Sequence, residues 1–235
     1  MLKINGLHKS FGDKEILHGI NIHVQPGQIY GFIGHNGAGK TTTLKCVAGI
    51  LEYEKGDILI DGINLIDNPI ACKRKMAYLQ DNPDLYENLT GIQYLNFVAD
   101  IFGIDANIRK ERIETISKEL EIYENLGDQI KALSHGMKQK VAIISALIHE
   151  PQLLLLDEPF VGLDPKASFI LKQKMQQLCD KGGSIFFSSH VLEVVENLCN
   201  EIAIIHNGNI VTQGSTSDIV SSGQTLEDVF LSIEG

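Results

Sequence analysis

Short apolar runs, separated by glycine, proline and polar turns, alternate with stretches of helical spacing along most of the chain. Residues 2–5 and 20–24 alternate between apolar and polar side chains, which is typical of half-buried strands. Residues 28–33 and 152–156 are almost continuously apolar, as strands in the middle of a parallel sheet are. We therefore predict an α/β fold with a mostly parallel central sheet and a β-rich edge near the N-terminus.

Further strand-like runs each lead into turn residues or polar side chains. They are residues 58–60 before Asp61-Gly62, 76–79 before Gln80, 183–188 before Ser189-His190, and 202–205 before the turn Asn207-Gly208 and a return strand at 210–211. In a doubly wound sheet, ligands gather at the carboxyl ends of the strands. The polar residues that follow these runs are therefore candidates for a binding site.

Helical spacing with clear start signals appears in the middle of the chain. Thr90 and Gln93 have the form of a capping box, ahead of a helix that reaches about residue 102. A second helix is predicted at about residues 108–123, with apolar residues on one face and charges on the other. These helices interrupt the α/β order, and we predict a helical lobe over about residues 85–150.

Two more helix starts and a helical tail complete the pattern. Ser134 is placed to cap a helix that stops near Pro151, and Asp164 is an N-cap with Pro165 at the first helical position. Residues 226–231 form a last amphipathic segment. We expect one domain over residues 1–235, whose core comprises residues 1–84 and 151–235.

The charge balance and the cysteines narrow the possible partners. The chain has 235 residues, 20 Lys and Arg against 30 Asp and Glu, and a formal net charge of −10. No basic block is present, which disfavours a nucleic acid partner. The four cysteines are scattered without metal-ligand spacing, which fits a reducing cytoplasm better than a disulfide framework: Cys46, Cys72, Cys179 and Cys199. No apolar run approaches the ~20 residues of a membrane span, so any work at a membrane requires another chain to cross it.

A glycine-rich segment between residues 34 and 42 carries the clearest chemistry. It matches the phosphate-binding loop G-x-x-x-x-G-K-[ST], and it lies between a strand pattern and a helix pattern, as that loop requires. Its residues are Gly34, His35, Asn36, Gly37, Ala38, Gly39, Lys40, Thr41 and Thr42. The curled backbone amides would bind phosphate oxygens, Lys40 would reach the β/γ oxygens, and Thr41 would offer its hydroxyl to Mg²⁺. Kinases, GTPases and many ATPases share this loop.

Other candidate residues lie at strand ends or turns. Asp157 and Glu158 directly follow a buried strand and are expected to point toward the triphosphate. Gln80 could ligate Mg²⁺ or orient water. Phe11 could stack on a base or could close the small sheet, and His190 could be a site residue or a surface capping residue.

Six ordered motifs resemble those of ATP-binding cassette (ABC) ATPase domains. They correspond to the Walker A loop, the Q-loop, the signature, the Walker B strand, the D-loop and the H-loop: residues 34–42, Gln80, residues 133–137, 153–158 and 162–165, and His190. The resemblance covers essentially the whole chain. It implies a P-loop NTPase core with a RecA-like, mostly parallel sheet, an antiparallel β subdomain and an inserted helical lobe that carries the signature.

The resemblance also implies roles for the motif residues. ATP and Mg²⁺ would be the cofactors, Phe11 would meet the adenine, and Thr41, Gln80 and Asp157 would hold the metal. The catalytic residues would be Glu158, His190 and Lys40, with Glu158 acting on the attacking water. Two domains would pair head to tail, so that Ser134 and Gly136 close on the nucleotide of the other copy and Asp164 couples the two sites.

The signature departs from the usual L-S-G-G-Q, because His135 replaces the first glycine and Met137 replaces the glutamine. This change bears on how tightly a homodimer closes and on whether its two sites are equal. The residues after the signature, with the tail at 226–230, look like bacterial type-2 ABC exporter ATPases. The expected partners are then integral membrane permease subunits, with the chain cytoplasmic and peripheral on the inner face of the cell membrane. The alternatives are a soluble ABC ATPase that acts on ribosomes or DNA, and a P-loop kinase of a small molecule.

Overall fold

Two sheets organise the protein. The structure, a computed structural model, describes residues 1–220 and 224–234. Within these residues the strands are β1 (Leu2–Phe11), β2 (Lys14–Val24), β3 (Ile29–Ile33), β4 (Lys55–Ile60), β5 (Ile63–Asn64), β6 (Met76–Leu79), β7 (Leu153–Asp157), β8 (Ser184–Ser189), β9 (Glu201–His206) and β10 (Asn209–Ser215). The smaller sheet has the order β2-β1-β4-β5 and is antiparallel.

The larger sheet has the order β10-β9-β3-β8-β7-β6. Its five strands from β9 to β6 are parallel, and only β10 runs antiparallel, as the return strand of a hairpin. The parallel strands are the continuous apolar runs of the sequence, because both of their faces are covered. Their carboxyl ends lie along one edge, where β3, β7 and β8 are adjacent or next to adjacent.

The described helices connect and cover these strands. They are α1 (Lys40–Val47), α2 (Pro69–Lys75), α3 (Gly91–Ile101), α4 (Ala106–Glu119), α5 (His135–Leu147), α6 (Pro165–Asp180), α7 (Leu192–Leu198), α8 (Thr216–Ile219) and α9 (Leu226–Glu234). The capping box of α3 is present as predicted, and Ser134 and Asp164 cap α5 and α6 through their side-chain oxygens. Among the residues that the structure describes, none of the helices combines the length and the apolar character that a membrane span requires.

Two hydrophobic clusters lie on opposite faces of the larger sheet, because successive side chains of a strand point to opposite sides. Leu153 and Leu155 of β7 pack with α1 and the smaller sheet, whereas Leu154 and Leu156 pack with α3, α4, α5 and α6. Each of these four leucines is at most 1% exposed. Burying one such side chain fully contributes roughly 1.5–3 kcal/mol, so these four leucines stabilise β7 in the centre of the protein.

Four of the described helices differ from the sequence predictions, since α7 and α8 were not predicted and the other two are α4 and α2. The helix predicted at residues 108–123 is α4, which ends at Glu119, because Glu121 adopts a left-handed conformation with φ of 55° and a short 3-10 turn follows at Tyr123–Asn125. The helix α2 was not predicted, because only Asn68 as N-cap and Pro69 at its first position mark it. It has seven residues, too few for a clear amphipathic period.

Candidate functional site

The segment between β3 and α1 forms a turn that only glycine fits at its key positions. A Cβ on Gly34 would lie 2.5 Å from the carbonyl oxygen of Ile205, and one on Gly39 would lie 2.7 Å from Cδ2 of Leu17. Gly39 also has φ of 114° and precedes α1 without a side-chain cap. No side chain of the described residues therefore caps the first turn of α1, which leaves the helix N-terminus open to an anion.

Lys40, the first residue of α1, lies beneath this turn. Its side chain is 6% exposed, and its Nζ donates to the carbonyl oxygens of Gly34 at 2.5 Å and His35 at 3.3 Å. The same Nζ lies 3.6 Å from Oε1 of Glu158. Thr41, the next residue, is exposed. The sequence-predicted lysine and glutamate therefore meet, as the parallel order of β3, β8 and β7 requires.

Asp157 lies at the end of β7 and is 2% exposed. Its Oδ1 accepts a hydrogen bond from the Ser188 hydroxyl at 2.5 Å, and its Oδ2 accepts one from the Tyr78 hydroxyl at 3.5 Å. Burial raises the pKa of Tyr78, with Asp157 adding to the shift, so the phenol remains a donor. Leu79 of β6 pairs with Leu156 of β7. Gln80, the residue after Leu79, is therefore level with Asp157.

Glu158 occupies a strained position and has one oxygen without a hydrogen-bond partner. Its φ is 49°, a left-handed conformation that costs about 1–3 kcal/mol in a residue other than glycine. Its Oε2 accepts from the backbone amide of His190 at 3.2 Å and lies 2.9 Å from His190 Nδ1. Its Oε1 is buried without a hydrogen-bond partner among the described residues, and it faces Lys40. The carboxylate thus lies between a lysine and a histidine.

The signature residues and Asp164 form a separate group. Ser134 Oγ accepts from the amide of Met137 at 3.3 Å, while Asp164 accepts from the amide of Ala167 at 2.8 Å and lies 2.7 Å from Lys140 Nζ. The hydrogen bond from Lys140 holds the pKa of Asp164 below its usual value. No hydrogen bond or ion pair within residues 1–220 and 224–234 joins Ser134 to the Lys40 and Glu158 group.

Phe11 ends β1 and is 51% exposed. The Nζ of Lys9 lies 5.2 Å from the centroid of its ring, and Glu54 holds that ammonium at 2.8 Å. A cation at this distance attracts the ring face, so one face of Phe11 is fixed and much of the ring remains open to solvent. The structure thus leaves room for both sequence interpretations of this residue.

We expect Phe11→Ala to raise the dissociation constant for ATP by roughly fivefold or more, because stacking on a base contributes about 1–3 kcal/mol. Phe11→Tyr keeps the ring and is expected to leave the constant within about twofold. Titration with a fluorescent ATP analogue measures both. Equal affinity for the alanine and parent chains would show that Phe11 only closes the small sheet.

Several side chains that hold the site together were not predicted from the sequence. Ser188 donates to Asp157 from the neighbouring strand, and Tyr78 contacts the same carboxylate. Lys140 pairs with Asp164. Each of these contacts joins distant parts of the chain. It depends on how the strands pair and how the helices pack, which a single sequence does not reveal.

Comparison with known proteins decides the family. The family model described as "ABC transporter" matches residues 17–161, which is more than half of the chain and includes Lys40, Asp157 and Glu158. The chain belongs to the ABC transporter family. Among curated relatives, this ABC ATPase is 33% identical to "ABC transporter ATP-binding protein NatA" of Bacillus subtilis (strain 168), over 99% of this chain and 97% of the relative. It is 32% identical to "Bacitracin transport ATP-binding protein BcrA" of Enterococcus faecalis, over 93% of this chain and 70% of the relative.

Solved structures of other proteins superpose on this fold. The structure titled "Structure of ATP binding subunit of ABC transporter" superposes with a TM-score of 0.96 at 33% identity, covering 100% of both chains. A second ATP-binding cassette, solved as a dimer in a post-hydrolysis state with ADP and Pi, has a TM-score of 0.84 at 22% identity and covers 92% of this chain and 99% of its own. The chain is therefore an ABC ATPase that binds and hydrolyses ATP, with the P-loop core, antiparallel sheet and added helices of that fold.

Proposed function

We propose that the chain is the ATP-hydrolysing subunit of an ABC exporter, in which ATP closes two ABC domains and a separate membrane permease moves the substrate. The observation that carries this proposal is the convergence of Lys40, Asp157, Glu158 and His190 at one edge of the larger sheet. We further propose that residues 1–235 act as one ABC domain, with the helical lobe at about residues 85–150.

The Walker A loop would hold the triphosphate. Its glycines allow a close backbone turn that a side chain at Gly34 or Gly39 would obstruct, and the N-terminus of α1 adds a favourable dipole. Lys40 would exchange its bonds to loop carbonyls for bonds to the β- and γ-phosphate oxygens. Its buried ammonium is already directed into the loop, so little reorganisation is required.

Three oxygen donors fit a magnesium ion at this edge: the Thr41 hydroxyl, the Gln80 amide oxygen and the Asp157 carboxylate. Hard oxygen ligands of this kind are those that Mg²⁺ prefers. Ser188 and Tyr78 would keep the Asp157 carboxylate oriented toward the ion through their hydrogen bonds. When bound, Mg²⁺ would neutralise charge on the phosphates.

Glu158 would act on the attacking water. Its Oε1 has no hydrogen-bond partner among the described residues and can accept a proton from that water, while Oε2 remains oriented by His190. His190 is 54% exposed, so its ring can turn toward the γ-phosphate when nucleotide binds. The Lys40 contact to Glu158 would be replaced at the same time, which frees the carboxylate as a base.

Closing of two copies would use the signature residues. Moving a pair from 1:99 to 99:1 closed requires about 5.5 kcal/mol, or about 2.7 kcal/mol for each of two nucleotides. One or two hydrogen bonds to a charged phosphate, at roughly 1.5–3 kcal/mol each, are sufficient. The Ser134 hydroxyl and the Gly136 amide would supply them to the nucleotide of the other copy, and Asp164 would couple the two sites.

The helical lobe offers a surface for a permease. Tyr86 is 59% exposed and forms edge-to-face pairs with Tyr94 and Phe97, which is itself 42% exposed. Ile101, one turn further along α3, is 61% exposed. An apolar, aromatic surface of this kind is typical of a protein interface. We therefore propose that this surface binds the permease and holds the chain at the inner face of the cell membrane; the similarity to BcrA, a bacitracin transport protein by its name, supports export.

Retention on membranes tests this proposal. We expect the full chain, expressed in its native host, to sediment with membranes and to co-purify with a polytopic protein after detergent extraction. Phe97→Glu should lower the retained fraction at least about fivefold, because a charge in an apolar interface is costly. Leu231→Glu is the matched control, since Leu231 is 60% exposed on α9. Sedimentation with ribosomes, or an ATPase rate stimulated by DNA, would contradict the transport function.

A further inference from the structure

The first turn of α5 rests on the loop that follows Glu158 in the same chain. Gly162 in that loop has φ of 78°, and a Cβ on it would lie 2.8 Å from Cδ2 and 3.0 Å from Nε2 of His135. A Cβ on Gly136 would lie 3.0 Å from the carbonyl oxygen of Gly162. The His135 ring thus lies directly against Gly162, and a side chain at position 162 would require the ring to move.

A second contact joins α5 to the loop that follows Glu158. Lys140 of α5 lies 2.7 Å from Oδ2 of Asp164, and Oδ1 of that carboxylate caps α6 through the amide of Ala167. The helix α5 therefore contacts the loop between Glu158 and Asp164 at two points, through His135 and through Lys140. The loop is also held at its start, where the amide of Val161 donates to the carbonyl oxygen of Glu158 at 3.1 Å.

We propose that His135 is a positioning residue whose ring, seated on Gly162, sets the signature turn relative to the loop that follows Glu158. This inference rests on the proposed closing of two copies. A turn held in this orientation presents Ser134 and Gly136 outward to the nucleotide of the other copy. The ring that replaces the first glycine of the family signature is accommodated because position 162 is itself a glycine.

The ring is accessible to substitution without a core defect, since His135 is an exposed residue at the first position of α5. His135→Ala removes the atoms that approach Gly162 and retains the helix start. His135→Phe retains a ring of similar size and removes both nitrogens. If the contact of the ring with Gly162 positions the signature turn, the phenylalanine variant should form the ATP-bound dimer as the parent does. The alanine variant should form it less well.

A double-mutant cycle in a Glu158→Gln background, in which ATP is retained, measures the coupling. We expect His135→Ala to raise the dissociation constant of the ATP-bound dimer about fivefold or more, and Gly162→Ala to raise it about tenfold or more. The double variant should fall short of the product of these factors by at least about fivefold, because the alanine Cβ no longer meets the ring. Light scattering over a range of protein concentrations gives these constants.

Three controls separate this coupling from a general defect. Gly182→Ala matches the backbone change, since Gly182 has φ of 87° and no atom of the described residues would lie within 4 Å of its Cβ. This variant should change the dissociation constant of the dimer by less than about twofold. Affinity of the monomer for a fluorescent ATP analogue should stay within about twofold in every variant. The thermal midpoint of the His135 variants should stay at the parent value. If Gly162→Ala does not fold, the comparison of His135→Ala with His135→Phe still decides.

Two outcomes are distinguishable. If the Glu158→Gln chain dimerises with ATP but the cycle is multiplicative within about twofold, or His135→Ala closes as well as His135→Phe, the role of His135 is overturned while the proposed function stands. If the Glu158→Gln chain itself shows no ATP-dependent dimer, both the proposed closing of two copies and the role of His135 are overturned.

Discussion

Glu158→Gln is expected to lower the steady-state rate of ATP hydrolysis by roughly 10²–10⁴-fold, the usual contribution of a general base, while ATP still binds. The amide has nearly the shape of the carboxylate, and its oxygen can keep the bond from the His190 amide. It cannot accept the proton of the attacking water. Phosphate release under saturating ATP and Mg²⁺ measures the rate, and a fluorescent analogue measures binding.

The control for this variant is a glutamate away from the site. Glu227 on α9 is exposed, and Glu227→Gln removes the same charge without a change at the sheet edge. Its rate should stay within about twofold of the parent. A Glu158→Gln chain that hydrolyses ATP at a rate within about tenfold of the parent would show that this carboxylate is not the base.

Lys40→Ala is expected to act on binding itself and to raise the dissociation constant for ATP about 10²-fold. Two hydrogen bonds from the ammonium to phosphate oxygens, at about 1.5 kcal/mol each, total about 3 kcal/mol, and about 1.4 kcal/mol corresponds to a tenfold change. The same ammonium donates to Gly34 and His35 in this structure, so the loop also loses two internal bonds.

Two controls for Lys40→Ala test separately for the loss of a positive charge and for a loss of folding. Lys45 lies in the last turn of the same helix, and Lys45→Ala should leave the dissociation constant within about twofold. A thermal unfolding scan shows whether Lys40→Ala is folded when its affinity is measured. Full ATP affinity in a folded Lys40→Ala chain would contradict the assignment of residues 34–42 as the triphosphate site.

The sequence was most informative where a local pattern determines the structure. The strand, glycine turn and helix around Lys40 follow from adjacent residues, and the comparisons show the family and fold that these motifs indicated. The caps at Ser134 and Asp164 also follow, because an N-cap bonds an amide only three residues away.

Contacts between distant segments could not be predicted. Ser188 reaches Asp157 only because β8 pairs with β7 in a register that places the two residues opposite each other. The left-handed conformation at Glu121 ends α4 before the apolar pattern ends. The contact of His135 with Gly162 depends on how α5 packs against the loop after β7, which helical spacing does not determine.

The mass of the Glu158→Gln chain with bound nucleotide tests most directly whether ATP joins two copies of this protein. Light scattering should show a dimer with ATP and Mg²⁺, and a monomer with ADP and Mg²⁺ or without nucleotide, because only the γ-phosphate would bridge Lys40 of one copy and Ser134 of the other. A chain that binds ATP with Mg²⁺ but keeps the mass of a monomer at every protein concentration would contradict the account.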